Sequence, residues 1–382
     1  MCYHNDGDFM NIIGIICEYN PFHNGHLYHL NKIKEMYPNS YIILVMSGST
    51  TERGDLSIIN KWDKTEIALH YGIDLVIELP FIFASQSADL FCYGSMKLLN
   101  YLKVNKIVFG SESNDIDSLY KLALTQLNSS EYNNLVKEYL KQGYNYPTGA
   151  SKALKDITNI EIKEPNDILG LGYIREIIKN NYDITPICIK RTSDYNSLSL
   201  DNEISSASSI RNALLNNIDI TKYVPDYTLK YLNNLIFIEE YFDLLKYKII
   251  TNIDHLYKYQ TVDESIIPRI IKYIYKSNSL DELIKNIKTK NYTYNKLKRM
   301  FIHILFSFTK EEASNISIDY IRILGFNNNG KLYLNKIKKE LDIPLITKYD
   351  DKLYIEDRIT NIINIKHPNK QEYEYKPIIK EK

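Results

Sequence analysis

The apolar positions of this chain fall into short blocks separated by amphipathic stretches. NIIGIICE (11–18) is an apolar run bounded by polar residues, the pattern of a strand buried on both faces. YIILVM (41–46), DLVIELP (74–80), NKIVFGSES (105–113) and PICIK (186–190) repeat it. Between these runs the spacing turns helical. CEYNPFHNGHLYHL opens a helix reaching about Met36, KWDKTEIALHYG (61–72) is a helix stopped by Gly72, and SADLFCYGSMKLLNYL (87–102) is another. ISSASSIRNALL (204–215) begins one more. Short strands alternating with helices predict an α/β fold, a doubly wound parallel sheet with crossover helices on its faces.

Past Pro225 the strand signals fade. YLNNLIFIEEYFDLLKYKII (231–250) and LKRMFIHILFSF (297–308) carry apolar residues at helical spacing, and a small β element is expected near IPLITK (343–348). The expected organisation is an extension over 1–9, a sheet-bearing catalytic unit over 10–220, and a mainly α-helical C-terminal domain over 221–382. A chain of 382 residues is long enough for both.

Composition narrows the function classes. With 44% hydrophobic and 25% charged residues the chain buries a full core, and 47 basic against 47 acidic residues exclude a globally basic nucleic-acid coat. A local basic face stays open. Cys2, Cys17, Cys92 and Cys188 form no C-x-x-C pair, which argues against a zinc ribbon or disulfide framework and fits a reduced, cytoplasmic setting. No apolar run reaches the roughly 18 residues of a membrane span. MCYHNDGDFM lacks the apolar core of a secretion signal. Nothing marks an obligatory protein partner.

The densest chemistry follows the first strand. Three of eight histidines, His23, His26 and His29, stand three apart behind an Asn20-Pro21 turn, with Gly25 between the first two. In an open parallel sheet, ligands bind beyond the carboxyl ends of the strands. A helix beginning there aims its N-terminal amides and positive dipole end at that space, which suits phosphate. His23 and His26 share a helix face and can stabilise charge on a departing pyrophosphate. Metal binding is the weaker reading, because i, i+4 is the better helical spacing and no carboxylate or thiolate completes a ligand set.

That combination resembles the H-x-G-H signature of the nucleotidyltransferase superfamily, and ISSASSIR (204–211) resembles its Ile-Ser-Ser/Thr-x-x-Arg segment. Taken alone, ISSASSIR reads equally as a helix N-cap. CEYNPFHNGHLYH, KWDKTEIALHYGIDLVIELPFIFASQSADLF (61–91), VFGSES (108–113), EPNDILGLGYI (164–174), IKR (189–191), LKRMFIHILFSFTKEE (297–312) and YIRILGFNNNGKLYLNKIK (320–338) are together similar to the tRNA(Met) cytidine acetate ligase family. The ordered set spans nearly the whole chain from Met10 onward.

The resemblance implies a nucleotidyltransferase-like sheet domain. It also implies a ligase that uses ATP to make acetyl-adenylate and passes the acetyl group to the wobble cytidine of elongator tRNA(Met). Carried over by motif, the ATP site comprises Ile16, Cys17, Glu18, Tyr19, Asn20, Pro21, Phe22, His23, Asn24, Gly25, His26, Leu27, Tyr28 and His29, with Gly110, Asn166 and Arg191. His23 and His26 are the catalytic pair. Ser206, Ser208 and Arg211 are candidate phosphate contacts. ATP is a substrate that brings Mg²⁺ with it, and no tightly bound prosthetic group is expected. For RNA the densest basic segment is Lys285 to Arg299, with Lys296, Lys298 and Arg299 as candidates beside Tyr292 and Tyr294. Lys336, Lys338 and Lys339 are a second possibility of this kind. One departure stands out: Thr50-Thr51-Glu52 occupies the place where the family pattern carries Phe-Val-Gln, while Arg53 and Gly54 remain. The competing readings are a small-molecule adenylyltransferase of the pantetheine- or nicotinamide-phosphate type, and a non-catalytic tRNA-binding protein.

Overall fold

Each apolar run marked above becomes a strand of one sheet. The computed structural model describes residues 10–191, 205–314, 317–368 and 376–381; the extension 1–9 and Ile204 of the serine-rich segment lie outside the described residues. The first part alternates as expected: β1 Ile12–Cys17, α1 Asn24–Met36, β2 Tyr41–Ser47, α2 Lys61–His70, β3 Leu75–Leu79, the single turn α3 Phe81–Ala84, α4 Ala88–Tyr101 and β4 Lys106–Ser111. Four helices follow, α5 Ile116–Asn128, α6 Ser130–Lys141, α7 Tyr146–Thr158 and α8 Pro165–Asn180, before β5 Thr185–Lys190 and α9 Ala207–Leu215. Every residue of β2 and β3 is buried, as their unbroken apolar runs require.

A second core is helical. Past the short α10 Asp226–Leu229, it is built from α11 Phe242–Thr251, α12 Ile267–Ile274, α13 Leu280–Ile287, α14 Tyr294–Leu305 and α15 Lys310–Ser314, joined by Ile355, Ile359 and Ile363 from further along the chain. Leu245, Ile270, Ile284, Leu297, Phe301 and Phe308 are its centre, and Leu56 and Phe81 from the sheet-bearing part belong to the same cluster. The chain then returns to the sheet with β6 Ile321–Asn327, α16 Asn328–Ile337, β7 Leu345–Ile346, α17 Tyr354–Asn364 and β8 Ile378–Lys380.

The strand order is β5-β4-β1-β2-β3-β6-β7, with β8 also on β6. All pairings are parallel except β3 with β6. β7 falls where a small β element was expected. β6 and β8, however, lie in the range where helices were expected. A seven-residue run such as IRILGFN is too short for periodicity to separate a buried strand from a buried helix turn. Because β1 has β2 on one side and β4 on the other, the order reverses between β1 and β4, and the crevice at that switch point is the natural ligand site.

Candidate functional site

A cavity of about 730 Å³ opens at that crevice. Its walls include Ile16, Cys17, Glu18, Tyr19, Asn20, His23, Gly25, His26, Tyr28, His29, Gly110, Asn166, Arg191, Ser208 and Arg211, so most of the residues singled out from sequence meet in one place. Pro21, Phe22, Asn24, Leu27 and Ser206 do not reach the wall. Phe22 is buried and stacked on Tyr71 at 4.9 Å, Leu27 packs against the core under the sheet, and the Asn24 amide donates to the Lys222 carbonyl at 2.8 Å.

The two signature imidazoles are fixed by backbone. His23 is the N-cap of α1, where its Nδ1 accepts the Gly25 N–H at 3.0 Å; His26 Nδ1 accepts the His23 N–H at 3.3 Å. This is a capping box built from histidines. The rings stack with centroids 3.8 Å apart. A neutral imidazole that accepts at Nδ1 carries its proton at Nε2, so both rings present a donor on their other nitrogen. Burial, then the Arg191 and Arg211 charges, lower the His23 pKa to about 3. Burial, then His23 and Arg191, hold His26 well below the usual histidine range. His29 is lowered to about 4 by the same burial and Arg191.

The cap also corrects one expectation. The first-turn amides of α1 are already engaged: Asn24 N–H donates to the Tyr223 carbonyl, Gly25 N–H to His23 and His26 N–H to the His23 carbonyl. These amides are therefore already taken, and the donors left at this turn are the imidazoles and nearby guanidinium groups.

Those guanidinium groups come from opposite directions. Arg211, on α9, donates to the Asn20 carbonyl at 2.7 Å and to Ser208 Oγ at 3.2 Å, bracing the turn that carries the histidines. Ser206 Oγ instead accepts the Ser209 N–H and caps α9, the reading the serine-rich segment had when taken alone. Arg191 leaves β5 beside Gly110, where an added Cβ would sit 3.2 Å from Arg191 Cγ; the glycine keeps room for that side chain. Arg191 Nε lies 3.4 Å from a Glu112 carboxylate oxygen, and the Asn166 amide donates to the same carboxylate. Asn166 is thus in the first turn of α8, not its cap. Asp167, which the sequence left unremarked, is buried and accepts from Ser111 Oγ and the Glu112 and Ser113 amides, closing the loop after β4.

The far wall is a loop and a helix. Glu52 N–H donates to Glu18 at 2.7 Å, and Arg299 of α14 grips Glu52 by its carbonyl at 3.1 Å and its carboxylate at 3.0 Å. Lys298 pairs with Asp55, and Gly54, at φ +81°, lies so close to α14 that a Cβ would meet the Arg299 nitrogen at 2.3 Å. Lys296 faces Asp263 at 3.5 Å. The basic candidates for RNA are thereby held by acidic partners, two of them clasping the helical core onto the 48–58 loop. Burial raises the pKa of both Glu18 and Glu52. Burial and Glu18 push the Cys17 thiol up to about 12, so it is no thiolate nucleophile.

Lys64 is the residue sequence reasoning missed. It is 1% exposed, and its ammonium donates to the carbonyls of Glu18, Ser47 and Gly48 at 2.9, 2.7 and 2.9 Å, tying together the carboxyl ends of β1 and β2. Its signal was a lysine on the buried face of a short helix. Among the described residues no group of three His, Cys, Asp or Glu side chains could hold a metal ion, and no helix is long and apolar enough to cross a membrane.

The HIGH Nucleotidyl Transferase family model matches residues 10–376. The tRNA(Met) cytidine acetate ligase of Caldicellulosiruptor saccharolyticus is 40% identical over 354 residues, 89% of this chain and 88% of that protein. The Clostridium perfringens protein of the same name is 39% identical over 400 residues, 97% and 100% of the two chains. The crystal structure of Thermotoga maritima TmcAL, in its apo form, superposes with a TM-score of 0.90 at 29% identity over 98% of this chain and all of that one. The same protein bound with alpha-thio ATP gives 0.88. With the cavity, the paired imidazoles and this likeness along nearly the full length, the chain belongs to the HIGH nucleotidyl transferase family, among its tRNA(Met) cytidine acetate ligases.

Proposed function

We propose that this protein uses ATP to convert acetate into acetyl-adenylate and then acetylates N4 of the wobble cytidine in elongator tRNA(Met). Acetate is resonance-stabilised and does not acylate the weakly nucleophilic cytosine amine. Joining it to AMP as a mixed anhydride supplies a good leaving group. An acetate oxygen attacks the α-phosphorus and pyrophosphate departs. N4 then attacks the acetyl carbonyl, the carbonyl carbon parts from the phosphate oxygen, AMP leaves, and the amine gives up one proton to solvent.

The observation that carries this reading is the locked histidine pair. His23 and His26, neutral and oriented by backbone, offer two Nε2–H donors to the triphosphate without reorganising during the reaction. Arg191 and Arg211 add fixed positive charge at the same wall. Gly110 and Asn166, at the β4 and α8 side, are the positions for ribose and adenine. Mg²⁺ enters as part of the ATP substrate, held by phosphate oxygens and water. The 48–58 loop and α14 bound the acceptor side.

The test supplies ATP, acetate and tRNA(Met) to the purified protein. The expected products are pyrophosphate and N4-acetylcytidine at the wobble position. AMP transfer to a phosphopantetheine-type acceptor, with the RNA unchanged, would establish the small-molecule alternative instead.

A further inference from the structure

The acceptor side of the cavity has a rim that no motif announced. The turn between α6 and α7, KQGYNYP, carries Tyr144 and Tyr146, 36% and 53% exposed. Tyr146 reaches the cavity wall. The Lys152 ammonium lies 5.3 Å from the Tyr139 ring and 5.2 Å from the Tyr144 ring, and Lys290, from the segment between α13 and α14, approaches Tyr144 at 6.0 Å. Thr293, at the end of the same segment, and Asn295, in the first turn of α14, also line the cavity.

Apart from Lys290, which belongs to both, this rim differs from the segment that the sequence marked for RNA. There the Tyr292 hydroxyl is bonded to Asp263 at 3.0 Å, the Tyr294 hydroxyl to Asp281 at 2.9 Å, and Lys285 pairs with Asp281 at 2.6 Å. Those rings and charges serve the helical core. Lys296 and Lys298 also lie over the Tyr292 and Tyr294 rings, at 4.5 and 5.8 Å, but those rings are half-buried. At the rim Tyr144, beside two lysines, and Tyr146 are exposed, the combination that single-stranded nucleic acid recognises.

We propose that Tyr144 and Tyr146, with Lys152 and Lys290, form the landing site for the unpaired nucleotides that flank the acceptor cytidine. The inference rests on the RNA-acetylating reading above. A cytosine whose N4 reacts deep in the cavity must leave its stack, and its neighbours are left at the mouth. Aromatic faces replace the lost stacking while lysines neutralise the flanking phosphates. The rim draws on both the sheet-bearing part and the helical core, so an RNA loop bound there spans the entrance.

Fluorescence-anisotropy titration of the full-length protein with the isolated anticodon stem-loop of tRNA(Met) tests this directly. Tyr146→Ala and Tyr144→Ala should each weaken binding about 10-fold, and Tyr146→Phe should retain it, because stacking needs the ring and not the hydroxyl. Lys290→Ala should lower the slope of affinity against salt by about one. Unchanged affinity in both alanine variants would overturn the proposal. So would wild-type protein that binds a fully paired RNA hairpin equally tightly, or no stem-loop at all. Acetate-dependent ATP–pyrophosphate exchange, run in parallel without RNA, reports separately on adenylate formation. Its absence in wild type would sink the reaction while the binding result still decides the rim.

Discussion

Beyond the carboxyl ends of β1, β4 and β5 the protein keeps a cavity of about 730 Å³, whereas beyond β2 and β3 it fills the ends of the strands with its own charged side chains. Lys64 donates to the Ser47 and Gly48 carbonyls there and reaches across to Glu18 past the end of β1, Lys61 pairs with Glu78 at 3.3 Å, and Glu356 accepts the Phe81 N–H at 3.0 Å. Burial, then the Glu78 charge, raise the Glu356 pKa to about 7. The pocket left beside Lys61 is about 20 Å³, enough for one water. Both regions bury polar groups. In the filled one the charged groups find partners among themselves and the backbone, although the Ser47 and Ser57 hydroxyls do not. In the open one the His23 and His26 imidazoles each commit only one nitrogen to the backbone.

The contrast makes opposite demands on substitution. Lys64→Met should cost about 3–5 kcal/mol of stability in denaturant titrations, because three buried carbonyls lose their donor and Glu18 and Glu78 lose a nearby charge. An effect confined to ATP affinity would break the assignment of Lys64 to the filled region. His26→Gln should do the reverse. Glutamine at the third helical position can still accept the cap N–H, so stability should hold, while acetate-dependent ATP–pyrophosphate exchange falls about 10²-fold or more. Intact exchange would remove His26 from the chemistry.

Acid sharpens the difference further. Folding lowers the His23 pKa from 6.5 to about 3, so between those values the unfolded chain binds a proton that the folded one refuses. Stability contributed by neutral His23 therefore rises with pH across that window and is lost on acidification, by about 2 kcal/mol between pH 6.5 and 5. His23→Asn keeps an N-cap acceptor and should make the acid slope of pH-dependent unfolding shallower by His23's share, the rest persisting because His26, His29 and His303 are lowered by burial too. A slope unaltered by the substitution would mean that His23 titrates normally in the fold.

How much of this was legible differs between the same two regions. The strands of the sheet-bearing part appear within a residue or two of their apolar runs because the central ones are buried on both faces, and even β5, half-buried at the sheet edge, is bounded by polar residues. The histidine turn was legible because its chemistry is consecutive in sequence. Lys64 was not, since its three acceptors come from two strands whose adjacency exists only in the fold. Lys298 and Arg299 read as free basic charge because Asp55 and Glu52 are some 245 residues away along the chain. Thr51 and Glu52 lie in the loop that those two residues clasp, and both line the cavity.

The antiparallel strand β6 has a consequence for how the molecule is made. It covers the outer edge of β3, with Asn327 hydrogen-bonded to Ile73 across 254 positions of chain. Until that late segment has emerged from the ribosome, a growing polypeptide carries an apolar sheet with one margin bare, open to pairing with a neighbour. A premature stop ahead of Ile321 should therefore yield an insoluble product rather than a shorter working enzyme, even though the histidine turn and strands β1, β4 and β5 would all be present.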